Sequence, residues 1–117
     1  MRIATLATTT FLTLVTATFA HAHAFLDHAE PRVGSTVATA PREVVLSFSQ
    51  NLEPAFSSVQ VSDANGARVD QGKPQISAAT MRVGVKQLPP GTYRVRWHVL
   101  SVDTHTTEGS FSFHVGP

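Results

Sequence analysis

The sequence contains no cysteine, and this absence excludes several kinds of site. Without a thiol the chain has no disulfide, no thiolate zinc site, no iron–sulfur cluster, no cysteine nucleophile and no cysteine-linked lipid. Charge is also scarce, since charged residues make up 15% of the chain. Nine Lys and Arg against eight Asp and Glu leave no basic excess for nucleic acid. Glycine-rich phosphate loops and the Gly-x-Ser-x-Gly elbow are missing too, so we expect neither an enzyme nor a nucleic-acid-binding protein.

The first two dozen residues are typical of a secretory signal peptide. Arg2 is the only early charge, and a threonine-rich apolar run over residues 3–20 ends in a small-x-small pattern at residues 20–22. The run is short and rich in threonine, which disfavours the alternative of a retained membrane anchor. No other long apolar run follows, so we expect an exported protein without stable membrane insertion. The 117 residues then predict a signal peptide over 1–22 and a single domain over 23–117.

Local cleavage rules leave the position of the cut open. A cut after Ala22 makes His23 the first residue, whereas an equally acceptable cut after Ala24 makes Phe25 the first. A cut after Ala20 would place a histidine third, an arrangement that itself chelates copper. The chemistry of the mature chain depends on which of these cuts occurs.

Alternation of apolar and polar residues with a period of two dominates the rest of the sequence. Five runs show it, and no stretch of ten residues has a helical period, so the pattern predicts half-buried strands. The residues assigned to the core side are Val44, Leu46, Phe48, Val59, Val61, Met81, Val83, Val85, Tyr93, Val95, Trp97, Val99, Phe111, Phe113 and Val115.

Turn-forming residues separate the runs at positions 31–34, 63–66, 71–74 and 89–91. Strands joined in this way predict an all-β fold, an immunoglobulin-like Greek-key β-sandwich or barrel of about seven strands. The Pro-Pro-Gly segment before Tyr93 resembles a tyrosine corner. We therefore assign Tyr93 to the core and the corner, not to catalysis.

Histidine is unusually frequent, with six in the chain. His98 and His114 are predicted on the outward side of strands, and His28 on the surface, where solvation is their ordinary role. Asp103 and His105 are different, because side chains two apart in an extended backbone project to the same side and can contact one cation. The tripeptide alone is a weak signal, since it occurs by chance in many loops.

His23 strengthens the metal interpretation if the cut makes it the first residue. Its amine and its Nδ1 atom can chelate one metal, because an α-amine has a reference pKa of about 7.7–8.0 and a lysine about 10.4. Together with Asp103 and His105 they form a set of three nitrogens and one oxygen, which suits tetragonal Cu(II). Zn(II) could compete in a tetrahedral arrangement. Cu(I) is disfavoured, because Met81 is the one remaining methionine and is assigned to the core.

The chain resembles the CopC family of periplasmic copper-resistance proteins, including its YobA-type members. The resemblance rests on five segments in order: HAFLDHAEP at 23–31, APREVVLSFS at 40–49, PGTYRVRW at 90–97, SVDTH at 101–105 and GSFSF at 109–113. It implies that His23 begins the mature chain and that one Cu(II) binds to its amine and imidazole, to the carboxylate of Asp103 and to the imidazole of His105. It further implies a small Greek-key barrel or sandwich, periplasmic copper binding or delivery, and a CopD-type inner-membrane copper transporter as partner.

The chain departs from the family pattern at two places. Some members carry a methionine-rich segment that binds Cu(I), and residues 59–81 contain nothing comparable. Many members have a Glu after the Phe-Ser of the first long strand, which supports the N-terminal ligand from outside the coordination shell. Gln50 stands there instead; it can accept a hydrogen bond from the amine but contributes no negative charge.

Two other functions are alternatives to that of a non-enzymatic copper-binding protein. One is an oxidative copper enzyme, because a terminal histidine and a second histidine are also the ligands of polysaccharide monooxygenases. Tyr93 and Trp97 in core positions leave no aromatic face for a polysaccharide, and Asp103 would occupy a position that oxygen chemistry needs. The other is a plain sandwich module for adhesion or assembly, which requires the three ligands to be coincidental.

Overall fold

Eight strands and one 3-10 turn build the part of the chain that the structure, a computed structural model, describes, residues 24–117. In order, the strands are β1 (Leu26–Glu30), β2 (Thr36–Val37), β3 (Glu43–Phe48), β4 (Ser58–Ser62), β5 (Asp70–Ser77), β6 (Thr80–Val85), β7 (Gly91–Leu100) and β8 (Thr106–Val115). The 3-10 turn is Pro54–Phe56, between β3 and β4. No helix within residues 24–117 has the length and apolar character needed to cross a membrane.

The strands form two four-stranded sheets, ordered β1-β3-β6-β5 and β2-β8-β7-β4. All neighbouring strands are antiparallel except β2 and β8, which run parallel. Leaving out β2, the first sheet has the order A-B-E-D and the second C-F-G, which is the arrangement of an immunoglobulin constant-type sandwich. The prediction of an immunoglobulin-like sandwich is confirmed, and the two-residue β2 is a strand beyond the seven expected.

The core lies between the two sheets and is built from the alternate residues that the period-two pattern selects. Every residue assigned to the core side is buried, and side chains such as Leu46, Val95 and Phe113 have no exposed surface. Burying one side chain of this size contributes about 1.5–3 kcal/mol. Trp97 reaches across the sandwich to Phe48 of the other sheet, with an edge-to-face packing and ring centroids 5.2 Å apart.

The tyrosine corner is present at the start of β7. The hydroxyl of Tyr93 donates a hydrogen bond to the backbone carbonyl of Pro89, and its ring stacks on that of Phe113 at 5.5 Å between centroids. Burial raises the pKa of the Tyr93 phenol above its usual value. Tyr93 is therefore a core and corner residue, as predicted.

The turn predicted at residues 71–74 is wrong, because β5 runs through this segment. The register between β5 and β6 shifts between Gln71 and Gln75, and Gly72 has a φ of 71° at the shift. A bulge of this kind accommodates both Gly72 and Pro74, and β5 is an edge strand, where a missing N–H leaves no ladder bond unmade. Residues that usually end a strand can thus continue one at the edge of a sheet.

We expect Gly109→Ala to destabilise the fold by about 1–3 kcal/mol, the usual range for overpacking. Gly109 of β8 lies opposite Trp97, and a Cβ atom there would come within 2.5 Å of the indole Cζ2 atom. Gly84→Ala is the matched control, because its Cβ would meet only the Gln71 carbonyl oxygen at 3.6 Å. Denaturant unfolding of both variants measures the difference. Equal stability of the two variants would contradict the proposed clash.

Candidate metal centre

The loop that joins β7 to β8, residues 101–105, lies at one end of the sandwich and is held by the segment after β3. The backbone N–H of Val102 donates to the carbonyl of Asn51 at 3.0 Å, and that of Glu53 donates to the carbonyl of Leu100 at 2.8 Å. Leu52 and Ser101 form an isolated antiparallel bridge between the two segments. The loop therefore rests on a rigid support at the rim of the core.

Asp103 and His105 are brought together in this loop. The Nδ1 atom of His105 lies 3.4 Å from the Oδ2 atom of Asp103, and the two side chains are 47% and 30% exposed. An extended backbone was expected to bring them together, but the backbone here is not extended. Thr104 has a φ of 72°, and its N–H donates to the carbonyl of Ser101 at 2.9 Å, so a turn folds the two side chains towards each other.

Ser101 fixes the carboxylate from beneath. This residue is fully buried, and its hydroxyl donates to the Oδ1 atom of Asp103 and lies 3.1 Å from the carbonyl oxygen of His105. The hydrogen bond from Ser101, followed by the interaction with His105, lowers the pKa of Asp103 below its usual value, although desolvation opposes the shift. The carboxylate is therefore ionised at neutral pH, the state in which it can bind a cation.

Ser101 is a functional residue that was not predicted from the sequence. One signal for it was present, because serine often bonds to groups two to four residues away at the end of a strand. The same local pattern occurs at many serines, and only its complete burial beneath the loop distinguishes Ser101 from them.

The beginning of the described chain lies at the same end of the molecule. The carbonyl of the fully buried Ala24 accepts a hydrogen bond from the hydroxyl of Thr107 at 2.8 Å, two residues after His105. Phe25 and Ser49 exchange two further bonds of 2.8 Å, from the N–H of Phe25 to the serine Oγ and from the N–H of Ser49 to the Phe25 carbonyl. His23 itself lies outside the described residues.

Three other histidines lie within residues 24–117, each on a strand. The Nε2 atom of His28 is 3.0 Å from the Oε1 atom of Glu30 on β1, and His98 is exposed on β7. His114 is hydrogen-bonded to Thr92 at 2.9 Å, and it follows the start of β8 by eight residues, about 26 Å of strand. His28 and His98 are exposed, as predicted, and His114 is remote from the loop along β8.

Two further side chains bear on the choice of metal. Met81, the one methionine within residues 24–117, has no exposed surface, as predicted from its strand position. Gln50 is half-buried and directly follows Ser49, the residue that binds the N-terminal segment. The donors near the loop are thus nitrogen and oxygen atoms, which suit a borderline or hard cation.

Asp103 and His105 supply two donors and no more. Within residues 24–117, no group of three or more histidine, aspartate or glutamate side chains converges in a way that could hold a metal ion. A site with three or more histidine and carboxylate ligands at this loop would need a side chain from outside residues 24–117.

Comparison with known proteins gives a consistent family. The CopC domain model matches residues 26–116. The chain is 34% identical over 106 residues to copper resistance protein C of Escherichia coli, which covers 82% of this chain and 83% of that protein. It is 31% identical over 99 residues to the copper transport protein CutJ of Bacillus subtilis, covering 81% of this chain but 18% of the longer relative.

The same family appears among solved structures. The crystal structure of CopC from Methylosinus trichosporium OB3b superposes with a TM-score of 0.76 at 34% sequence identity, covering 81% of this chain and 95% of that one. The family model spans most of the chain, and sequence and structure comparisons lead to proteins of the same name. The chain therefore belongs to the CopC family, whose relatives named above are copper-resistance and copper-transport proteins.

Proposed function

We propose that the processed chain holds one Cu(II) ion through the amine and imidazole of His23, the carboxylate of Asp103 and the imidazole of His105. The observation that carries the proposal is the position of Ala24. Its carbonyl is bonded to Thr107, two residues beyond His105, so the chain enters the fold beside the Asp103–His105 pair.

Covalent geometry supports His23 as the source of the missing donors. Consecutive Cα atoms are about 3.8 Å apart, so a residue joined to Ala24 starts within one peptide unit of an anchored position. An N-terminal histidine there adds an amine and an imidazole to the two donors of the loop. Three nitrogens and one carboxylate oxygen are a set that favours Cu(II) over the other common divalent ions.

We propose that residues 1–22 are a signal peptide that is removed, and that residues 23–117 act in the periplasm. The amine of His23 is available as a ligand only if the leader is cut between Ala22 and His23. We expect the fold to form without a metal, since apolar side chains from both sheets build its core. The protein would therefore arrive as a folded scaffold that takes up copper after export.

The proposed role is to buffer Cu(II) or to pass it to a CopD-type copper transporter of the inner membrane. The relative CutJ supports a link to transport, because the region similar to this chain is a small part of a longer copper transport protein. The proposal is a non-enzymatic one. Tyr93 and Trp97 are buried and cannot bind a polysaccharide, which argues against the oxidative alternative.

We expect mass spectrometry of the exported protein to show a chain that starts at His23, and titration to show one tight Cu(II) per chain. One site follows because a single place combines the chain start with the Asp103–His105 pair. Electron spin resonance should give a tetragonal, nitrogen-rich spectrum. A chain that starts at Phe25, or saturation at two tight equivalents, would contradict the proposal.

A further inference from the structure

The hydrogen bond between Thr107 and Ala24 connects the two sheets at the end that carries Asp103 and His105. Ala24 lies two residues before β1, an edge strand of the first sheet, whereas Thr107 lies on β8 of the second sheet, opposite Val99. The bond joins residues 83 positions apart, and Ala24 is fully buried. It is therefore a specific tertiary contact and not a local turn.

The other bonds of this segment lead to the first sheet. Phe25 exchanges two hydrogen bonds with Ser49, which directly follows β3, and Leu26 pairs with Phe48 within β3. The Asp103–His105 loop, in contrast, connects two strands of the second sheet. Donors supplied by the chain start and donors supplied by the loop thus belong to different sheets.

We propose that Thr107 is a positioning residue of the copper site. Its hydroxyl holds the start of the processed chain against the strand that follows His105, and so sets the distance between the N-terminal chelate and the Asp103–His105 pair. This inference rests on the proposed function. Metal affinity depends on such outer contacts, because donors that are already in place lose less freedom when the ion binds.

A purely structural role for Thr107 makes a different prediction. The buried carbonyl of Ala24 needs a donor in any case, so removing the hydroxyl would lower stability even if copper never bound. The test must therefore include readouts that a general loss of stability does not move. It also needs a variant that is destabilised elsewhere.

The experiment compares Cu(II) affinity and electron spin resonance spectra in processed chains that start at His23. Thr107→Val, which keeps the shape and removes the donor, should weaken Cu(II) binding by about 10-fold or more and alter the spectrum. Thr107→Ser should restore both. Thr106→Val is the matched control, because Thr106 is exposed on the opposite face of the strand and should bind as the wild type does. Val61→Ala is the variant destabilised elsewhere, because it creates a cavity in the core; it should lose stability and keep its copper affinity.

A second readout needs no copper. In the metal-free protein, Thr107→Val should speed amide hydrogen exchange at residues 25 and 26, whereas Thr106→Val should not. Unchanged exchange, or native affinity and spectrum in Thr107→Val, would overturn the inference while leaving the copper site intact. Equal loss of affinity in Val61→Ala would overturn it as well. If the wild-type chain binds no Cu(II) and Thr107→Val still speeds exchange, the hydrogen bond between Thr107 and Ala24 is purely structural. That result would refute the proposed function.

Discussion

Adding a single glycine before His23 should lower the Cu(II) affinity of the processed chain by about 100-fold or more, and His105→Ala should do the same. Loss of an outer contact already costs 10–100-fold in metal proteins, and these changes remove donors from the ion itself. The added glycine moves the free amine away from the histidine, so the amine and the imidazole of His23 no longer close their chelate ring. Titration of each variant against a competing Cu(II) chelator measures the loss.

His114→Ala is the matched control for this pair of variants. It also removes one imidazole, but His114 is bonded to Thr92 near the far end of β8. We expect its Cu(II) affinity to equal that of the wild type. Native affinity in the glycine-extended chain would show that the N-terminus is not a ligand. Equal losses in His114→Ala and His105→Ala would mean that the ion binds elsewhere.

Reduction to Cu(I) should release the metal or weaken its binding by orders of magnitude. Every proposed donor is a nitrogen or a carboxylate oxygen, whereas Cu(I) prefers soft sulfur. The one methionine of residues 24–117, Met81, is fully buried in the core and cannot reach an ion at the rim. Competition against a cuprous chelator after reduction with ascorbate tests this, with reoxidation in air as the control for recovery.

Circular dichroism of the same samples separates loss of metal from loss of fold. The metal-free chain should keep its sheet spectrum, because the core is closed by apolar side chains from both sheets. Retention of Cu(I) against the chelator would contradict the site of nitrogen and oxygen donors. An unfolded metal-free chain would show that copper is needed to complete the fold.

Much of the fold was predictable because burial of one face of a strand is visible in the order of its residues. Side chains of a strand alternate between the two faces of the sheet. The strands of a sheet with one solvent-exposed face therefore alternate apolar and polar residues. Tyr93, Val95, Trp97 and Val99 of β7 were assigned to the core from this rule alone, and all four are buried. β5 was not predicted, because Gly72 and Pro74 are typical of a turn, whereas an edge strand with a bulge tolerates both.

In the candidate site, the pair Asp103 and His105 was predictable, but the residues that hold it in place were not. Asp103 and His105 are near in sequence, and the structure brings them to 3.4 Å. Ser101 and Thr107 could not be ranked above other hydroxyl residues, because their roles depend on burial and on a partner far along the chain.

The sequence by itself determined the all-β class, the buried face of most strands and the chemical type of the available ligands, because these depend on residue identity and on a spacing of two. Only the tertiary structure decided which segments meet. Pairing of β7 with β8 and of β1 with β3 places the loop at residues 101–105 and the anchored Ala24 at the same end of the sandwich. The bond between Thr107 and Ala24 joins residues 83 positions apart, and no local pattern encodes it, since it arises only when two sheets pack around a common core.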